Sequence, residues 1–275
     1  MTLLSLEGYQ GVLSYGFRTS AGAEYSATAP LKVKAQELFS NRGALTCQLV
    51  LYGLPDQLND DEASVAYTQE SGDTNTIKTL MTAIAGATFA CYSHCPAIAI
   101  TFEPVSASYP LGYDDGLIDS FAPKDYFRIY VGESRLAKLK QLLAYTKCVM
   151  RCGDDGGIHV FNPTISGTTY DYEYNDVIAA ANHTFFSKVY RNRLVLPNKI
   201  VIQSTPAHSP NYSGNYTSAA SYALLPKTKY RQMRLASDAQ ATAIATAMIQ
   251  KLEQDHEKGN GLAPMNVGQE VYDYI

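Results

Sequence analysis

Tryptophan is absent from this chain of 275 residues, and charge is scarce: Asp, Glu, Lys and Arg make up 17% of it, below the usual quarter. The net charge is -4, the pI is about 5.7, and Lys and Arg form no cluster, so the electrostatic footprint of a nucleic-acid binder is missing and no nucleic-acid partner is expected. No apolar run approaches the roughly 18 residues of a membrane span, and the opening Met1-Thr-Leu-Leu-Ser-Leu-Glu7 lacks the basic region of a signal peptide. Membrane insertion is therefore not expected, and the chain reads as a soluble protein made in a cytoplasm. In that setting the Asn-x-Ser/Thr matches at Asn182, Asn211 and Asn215 are chance in a Ser/Thr/Asn-rich sequence.

Catalytic signatures are missing as well. There is no Gly-x-Ser-x-Gly, no glycine pattern of a nucleotide-binding loop and no His-Glu-x-x-His. His94, His159, His183, His208 and His256 are scattered without ligand spacing, and His183 beside Phe185 and Phe186 reads as a packed or capping residue. Asp114-Asp115 and Asp154-Asp155 each precede Gly, which is turn chemistry first. No enzymatic activity, cofactor or metal is expected. Of the five cysteines, Cys91/Cys95 and Cys148/Cys152 form Cys-x3-Cys pairs. Both read as strand segments, where four residues span about 13 Å, too far for two ligands of one tetrahedral metal. All five, Cys47 included, are expected to be small buried hydrophobes in a reducing compartment.

What the chain does have is tyrosine, 21 of them, an amphipathic aromatic surface suited to life inside an assembly. Its length suffices for a core without staples. Leu31-Lys-Val-Lys-Ala35 alternates like a strand, yet Pro30, Leu31, Ala35, Leu38 and Phe39 also fit a short helix. Leu45 to Leu54 reads as a strand closed by Gly53 and Pro55, and Asn59-Asp-Asp-Glu62 as a helix N-terminus and not a calcium loop. Ile77, Leu80, Met81 and Ile84 mark a helix capped by Asp73 or Thr74, followed by a strand pair, Thr88–Tyr92 and Ala97–Phe102. The same grammar recurs about 57 residues later: a helix capped by Ser134, then Cys148–Cys152, the turn at Gly153–Gly157, and Ile158–Phe161. Glu103–Tyr126 between them reads as a loop. Tyr170, Tyr172 and Tyr174 would share one strand face in Thr168–Tyr174, either packed or serving as a platform for sugar or a partner.

The sequence from His183 to Ser204 carries two apolar runs around Pro197-Asn198, Leu194–Leu196 and Ile200–Ile202, read as two strand segments. Arg191 and Arg193 would then project to one face. Pro206–Tyr230 reads as a long binding or assembly loop, and Ser237-x-x-Gln240 opens the longest helix, Asp238 to Lys258, which should dock closely on a sheet by its alanine-rich face. The expected fold is α+β, β-rich, with duplicated helix–hairpin units and one long C-terminal helix. Its expected divisions are residues 1–105, 106–180 and 181–275. Arg191, Arg193, Tyr212, Tyr216 and Tyr222 are the interface candidates.

Three blocks carry a resemblance: His183-Thr-Phe-Phe-Ser-Lys-Val-Tyr-Arg-Asn-Arg-Leu-Val-Leu-Pro-Asn-Lys-Ile200, Ser166 to Tyr174, and Pro264-Met-Asn-Val-Gly-Gln-Glu-Val-Tyr-Asp-Tyr274. Together with Leu142–Arg151 and its Asp-Asp-Gly turn, they resemble the tail or baseplate hub (tail-tip) proteins of tailed bacteriophages and prophages, over residues from about Leu45 onward. The resemblance implies a virion structural protein assembled in the host bacterial cytoplasm. It also implies a homo-oligomeric ring, a trimer, at the distal end of the tail tube, touching the tube and other baseplate proteins. In that group a further strand and domain follow the block ending at Tyr274. A second reading, from the tyrosines and the Asp114/Asp115 loop, is a carbohydrate-binding or carbohydrate-cleaving module.

Overall fold

The computed structural model describes residues 5–20, 22–41, 43–167, 170–175, 183–184, 187–206, 209–254, 257–266 and 268–275. Thr168, Thr169, Asn182, Phe185, Phe186, His208 and His256 lie outside the described residues. With 24% of the chain in helices and 31% in strands spread over several small sheets, the architecture is α+β and β-rich.

The described residues from Gln10 to Tyr52 are mostly strand: β1 (Gln10–Gly11), β2 (Ser14–Thr19), β3 (Gly22–Ala27), β4 (Leu31–Asn41) and β5 (Ala44–Tyr52). β2 and β3 form one hairpin and β4 and β5 a longer one, with β1 paired to the first two residues of β4. The alternation at Leu31–Ala35 is thus a strand pattern, and it extends well past the point where a helix would have turned back. Val33 is the buried foot of this ribbon; Lys34 lies 4.8 Å from the Tyr52 ring, whose hydroxyl donates to Asp60 at 2.7 Å. Burial, then that carboxylate, pushes the Tyr52 phenol up to about 12.

Next come α1 (Leu54–Asp60), β6 (Tyr67–Thr68), α2 (Ile77–Ala85), β7 (Ile100–Phe102), α3 (Asp115–Ile118), β8 (Arg128–Ile129), α4 (Arg135–Leu143), β9 (Val149–Cys152) and β10 (Ile158–Phe161). Asn59–Glu62 is the end of α1 and not a helix start. Gly53 and Pro55 begin that helix, with Asp56 accepting from the Gly53 N–H, and Asp61 is its C-cap. The cap of α2 is Thr76, accepting from Thr79, and not Asp73 or Thr74. Ser134 caps α4 as expected, accepting from Ala137.

Thr88–Tyr92 is not a strand. Ala87 turns the chain at φ 54°, Ala90–Tyr92 forms one 3-10 turn, and Tyr92 is buried with its hydroxyl on the Glu133 carbonyl. The first helical unit therefore supplies one strand, β7, where the second supplies two. All three form one sheet, β7 parallel and β9 antiparallel to the central β10, while α4 packs on α1 and α2. Most of Glu103–Tyr126 is irregular, holding α3 and a 3-10 turn at Lys124–Tyr126.

Then follow β11 (Tyr174–Asn175), β12 (His183–Thr184), β13 (Ser187–Asn192), β14 (Lys199–Ser204), β15 (Ser213–Thr217), α5 (Ala219–Leu224), β16 (Thr228–Met233), α6 (Asp238–Gln254) and β17 (Glu257–Leu262). Pro206–Tyr230 is consequently not a loop. Its polar composition belongs to an edge strand, a short helix and the start of another edge strand, so its exposed positions carry no apolar signal. β14 lies between antiparallel β15 and parallel β16. Leu194–Leu196 is irregular, because Val195 alone is buried there, its N–H donating to Ser221 Oγ at 3.1 Å. α6 ends at Gln254, four residues short of expectation, since Lys258 pairs with Arg191 in the β13–β17 ribbon.

α6 lies across β14 and β15 by its alanine face, with Ala241, Ile244, Ala245 and Ile249 buried. The close approach requires Gly214 of β15: a Cβ there would meet the backbone of Thr242 and come within 2.8 Å of Ala241 C. Gly214→Val should cost about 1–3 kcal/mol of stability in urea unfolding, by forcing the helix off its sheet. A midpoint unchanged from that of the parent chain would refute this contact.

Candidate functional site

The described residues hold no His/Cys/Asp/Glu group arranged for a metal. Cys91 and Cys148 are buried, but Cys47 is exposed on β5, against the expectation that all five are interior, and Cys95 and Cys152 are partly buried. Because Cys91 and Cys95 flank a turn, strand spacing does not separate them. Cys95 Sγ lies 3.5 Å from His94 Nε2, and burial raises the Cys95 thiol pKa above its ordinary value.

The Asp-Asp-Gly turn holds a cluster that spacing alone hides. His159 of β10 sits between Glu103 (Nδ1 to Oε1, 2.6 Å) and Asp155 (Nε2 to Oδ1, 3.1 Å), and Asp155 also accepts from the Gly157 N–H at 2.8 Å. Burial pulls the imidazole pKa down, but the two carboxylates outweigh it and leave the pKa above 6.5; the Gly157 N–H, then His159, hold Asp155 below its ordinary value. A histidine whose folded pKa is raised contributes stability that is complete below its unfolded value and is lost as pH rises through the folded one. His159→Gln should therefore lower the melting temperature more at pH 6 than at pH 9. An equal loss at both would show that the imidazole is not charged in the fold.

The tyrosines of the Tyr170–Tyr174 segment do not line a common strand face, because residues 170–173 are irregular. They grip the C-terminal segment instead. Tyr170 stacks on Tyr274 with ring centroids 5.0 Å apart, Tyr174 donates to Gln269, and Asp171 exchanges hydrogen bonds with the Tyr274 backbone. Arg151 clamps the same segment through Glu270 at 2.7 Å and Asp273 at 3.7 Å. Asp114 is held through its backbone, its N–H on Cys148 Sγ and its carbonyl accepting from Ile118.

The interface candidates are spread over three elements. Arg191 lies on β13 and Arg193 just beyond it, both exposed. Tyr212 precedes β15 and packs against the core, Tyr216 lies on β15, and Tyr222 of α5 lies 5.8 Å from Lys199 Nζ.

A larger surface lies at the other end of the chain. Along β5, Leu45, Cys47, Leu49 and Leu51 share one face, and the opposing β4 residue Leu38 joins them. All are exposed, Leu45 at 64%. Phe39 and Val50 are exposed on the opposite face, as are Phe17 and Tyr25 on the β2–β3 hairpin, Tyr25 at 71%. β5 pairs with β4 along one edge only, and no described strand takes its other edge. A long apolar edge strand in this state is the kind of surface that proteins normally cover or pair. Sequence alternation identified β5 but could not reveal that the described residues leave both of its faces exposed.

No protein-family model and no curated protein matches the sequence. Among solved structures, a tail protein from Neisseria meningitidis MC58 superimposes over 93% of this chain and 67% of its own, with a TM-score of 0.54 and 11% identity. A 43 kDa tail protein of prophage MuSo2 from Shewanella oneidensis covers 92% of this chain and 72% of its own at a TM-score of 0.47 and 11% identity. The chain thus shares its overall fold with the Neisseria tail protein.

Proposed function

We propose that this chain is a structural component of a bacteriophage or prophage tail, assembling as a homo-oligomeric ring, a trimer, within the hub at the distal end of the tail tube. The observation that carries the reading is the N-terminal ribbon, whose apolar β4 and β5 residues are exposed beside a strand edge that no described strand pairs. An isolated chain gains nothing from such a ribbon, whereas a ring of copies would bury it. The fold likeness to a bacterial tail protein and the blocks at His183–Ile200 and Pro264–Tyr274 support the same reading. Light scattering of the purified chain, with electron microscopy of tail particles labelled on it, tests this. A trimer and a label at the distal end of the tube are expected; a strict monomer at high concentration, absent from purified tails, would overturn it.

A further inference from the structure

Between α1, α4, β9 and the C-terminal segment lies a cavity of about 560 Å³, within the roughly 300–1,000 Å³ of small-molecule sites. Its walls are apolar, with Leu58 from α1, Leu136 and Leu143 from α4, Met150 from β9, and Val271 with Tyr272 at the rim. The charged side chains that reach it are all cations, Lys140, Arg151 and Lys251, and among the described residues no carboxylate lines it. Arg151 is already neutralised by Glu270 and Asp273. Lys251 is different: it reaches from α6 to the carbonyls of Leu143 at 2.7 Å, Cys148 at 2.6 Å and Thr146 at 3.4 Å and makes no ion pair among the described residues. Burial lowers its pKa to about 8, so the charge is retained at neutral pH without a counter-charge. Lys140 is exposed near the end of α4 and likewise makes no ion pair among the described residues.

We propose that this cavity binds a medium-chain aliphatic carboxylate, its chain against Leu58, Leu136, Leu143 and Met150 and its head group drawn to Lys140, with Lys251, whose ammonium is held by three carbonyls, adding positive field and not a direct contact. An apolar pocket alone would accept any chain of suitable length. The exclusively cationic lining selects the anion, favours it over a neutral alcohol, and rejects a cationic amphiphile. The site is separate from the β4–β5 ribbon and does not depend on assembly.

The absence of tryptophan makes the test clean, because Val271→Trp puts a sole indole at the cavity rim. Decanoate, decanol and decyltrimethylammonium, each below its micelle concentration, are titrated against its emission. A saturable change is expected with decanoate, about fivefold weaker binding with decanol, and no response to the cation. In the same reporter background, Lys140→Glu should remove the preference for decanoate over decanol, and Ala144→Phe, at an exposed position on the cavity wall, should remove binding while melting stays unchanged. A Leu224→Trp reporter on α5 should stay silent. No saturable response, equal responses to all three amphiphiles, a responding Leu224→Trp chain, or undiminished binding in Ala144→Phe would each overturn the site.

Discussion

Arg135→Leu is expected to cost about 3–5 kcal/mol of stability, a melting-temperature drop on the order of 10 °C for a chain of this size. Arg135 is fully buried at the start of α4, and its guanidinium ties three segments together. Nε donates to the Ile84 carbonyl at 2.9 Å and Nη2 to Ala85, both at the C-terminus of α2; Nη1 donates to Pro96 at 2.9 Å and to Asp61 Oδ2, also at 2.9 Å, at the end of α1. Leucine fills part of the volume but leaves Asp61 without its buried partner and the Pro96 carbonyl without its guanidinium donor, while Ile84 and Ala85 keep only their backbone donors, the N–H of Ala87 and of Ile98; each group so stranded carries a desolvation penalty. Arg135→Lys should recover only part of the loss, because an ammonium cannot reproduce the planar fork that serves all four acceptors. Urea unfolding of the two variants measures this. A loss under 1 kcal/mol for Arg135→Leu, or full recovery with lysine, would mean that these contacts are dispensable.

Helices were legible where their own residues settle them. α2 and α4 carry apolar side chains at helical spacing, α4 has its serine cap, and α6 has its serine cap at Ser237 and its alanine face, so local periodicity and burial agree, although Gln240 reaches back to the Ala236 N–H and not to that of Ser237. Failures arose where a distant partner decides. Asn59–Glu62 looks like a helix start because acidic residues suit one, yet Asp61 is held at the end of α1 by Arg135, 74 positions away. Thr88–Tyr92 has strand composition but is turned by Ala87 so that Tyr92 can reach Glu133, 41 positions away. Pro206–Tyr230 carries loop composition because β15 and β16 are the edges of their sheet, with polar, largely exposed side chains. The candidate surface was half legible for the same reason. Alternation in Leu45–Leu54 states that one face is apolar, but coverage of that face is a property of the whole fold.

Replacing Leu45 and Leu49 together by Asp should leave the chain folded and make it monomeric. Both side chains are exposed on the same face of β5, so the isolated fold loses no buried contact, and circular dichroism and melting temperature should hardly change. In a ring that buries this face, each carboxylate would enter an apolar contact without a partner, at about 2–3 kcal/mol apiece, enough to weaken association well over hundredfold. Arg191→Glu with Arg193→Glu is the matched comparison, since it reverses charge at the other candidate surface, around β13. If the ribbon is the principal contact, light scattering gives a monomer for the β5 pair and an intact oligomer for the arginine pair. The reverse pattern would move the interface to the Arg191/Arg193 face, and an oligomer surviving both changes would remove the ribbon from the assembly altogether. The effect is expected to be large because a strand edge and its apolar face are buried together: the backbone hydrogen bonds of β5 and its leucines would be satisfied by the same neighbour.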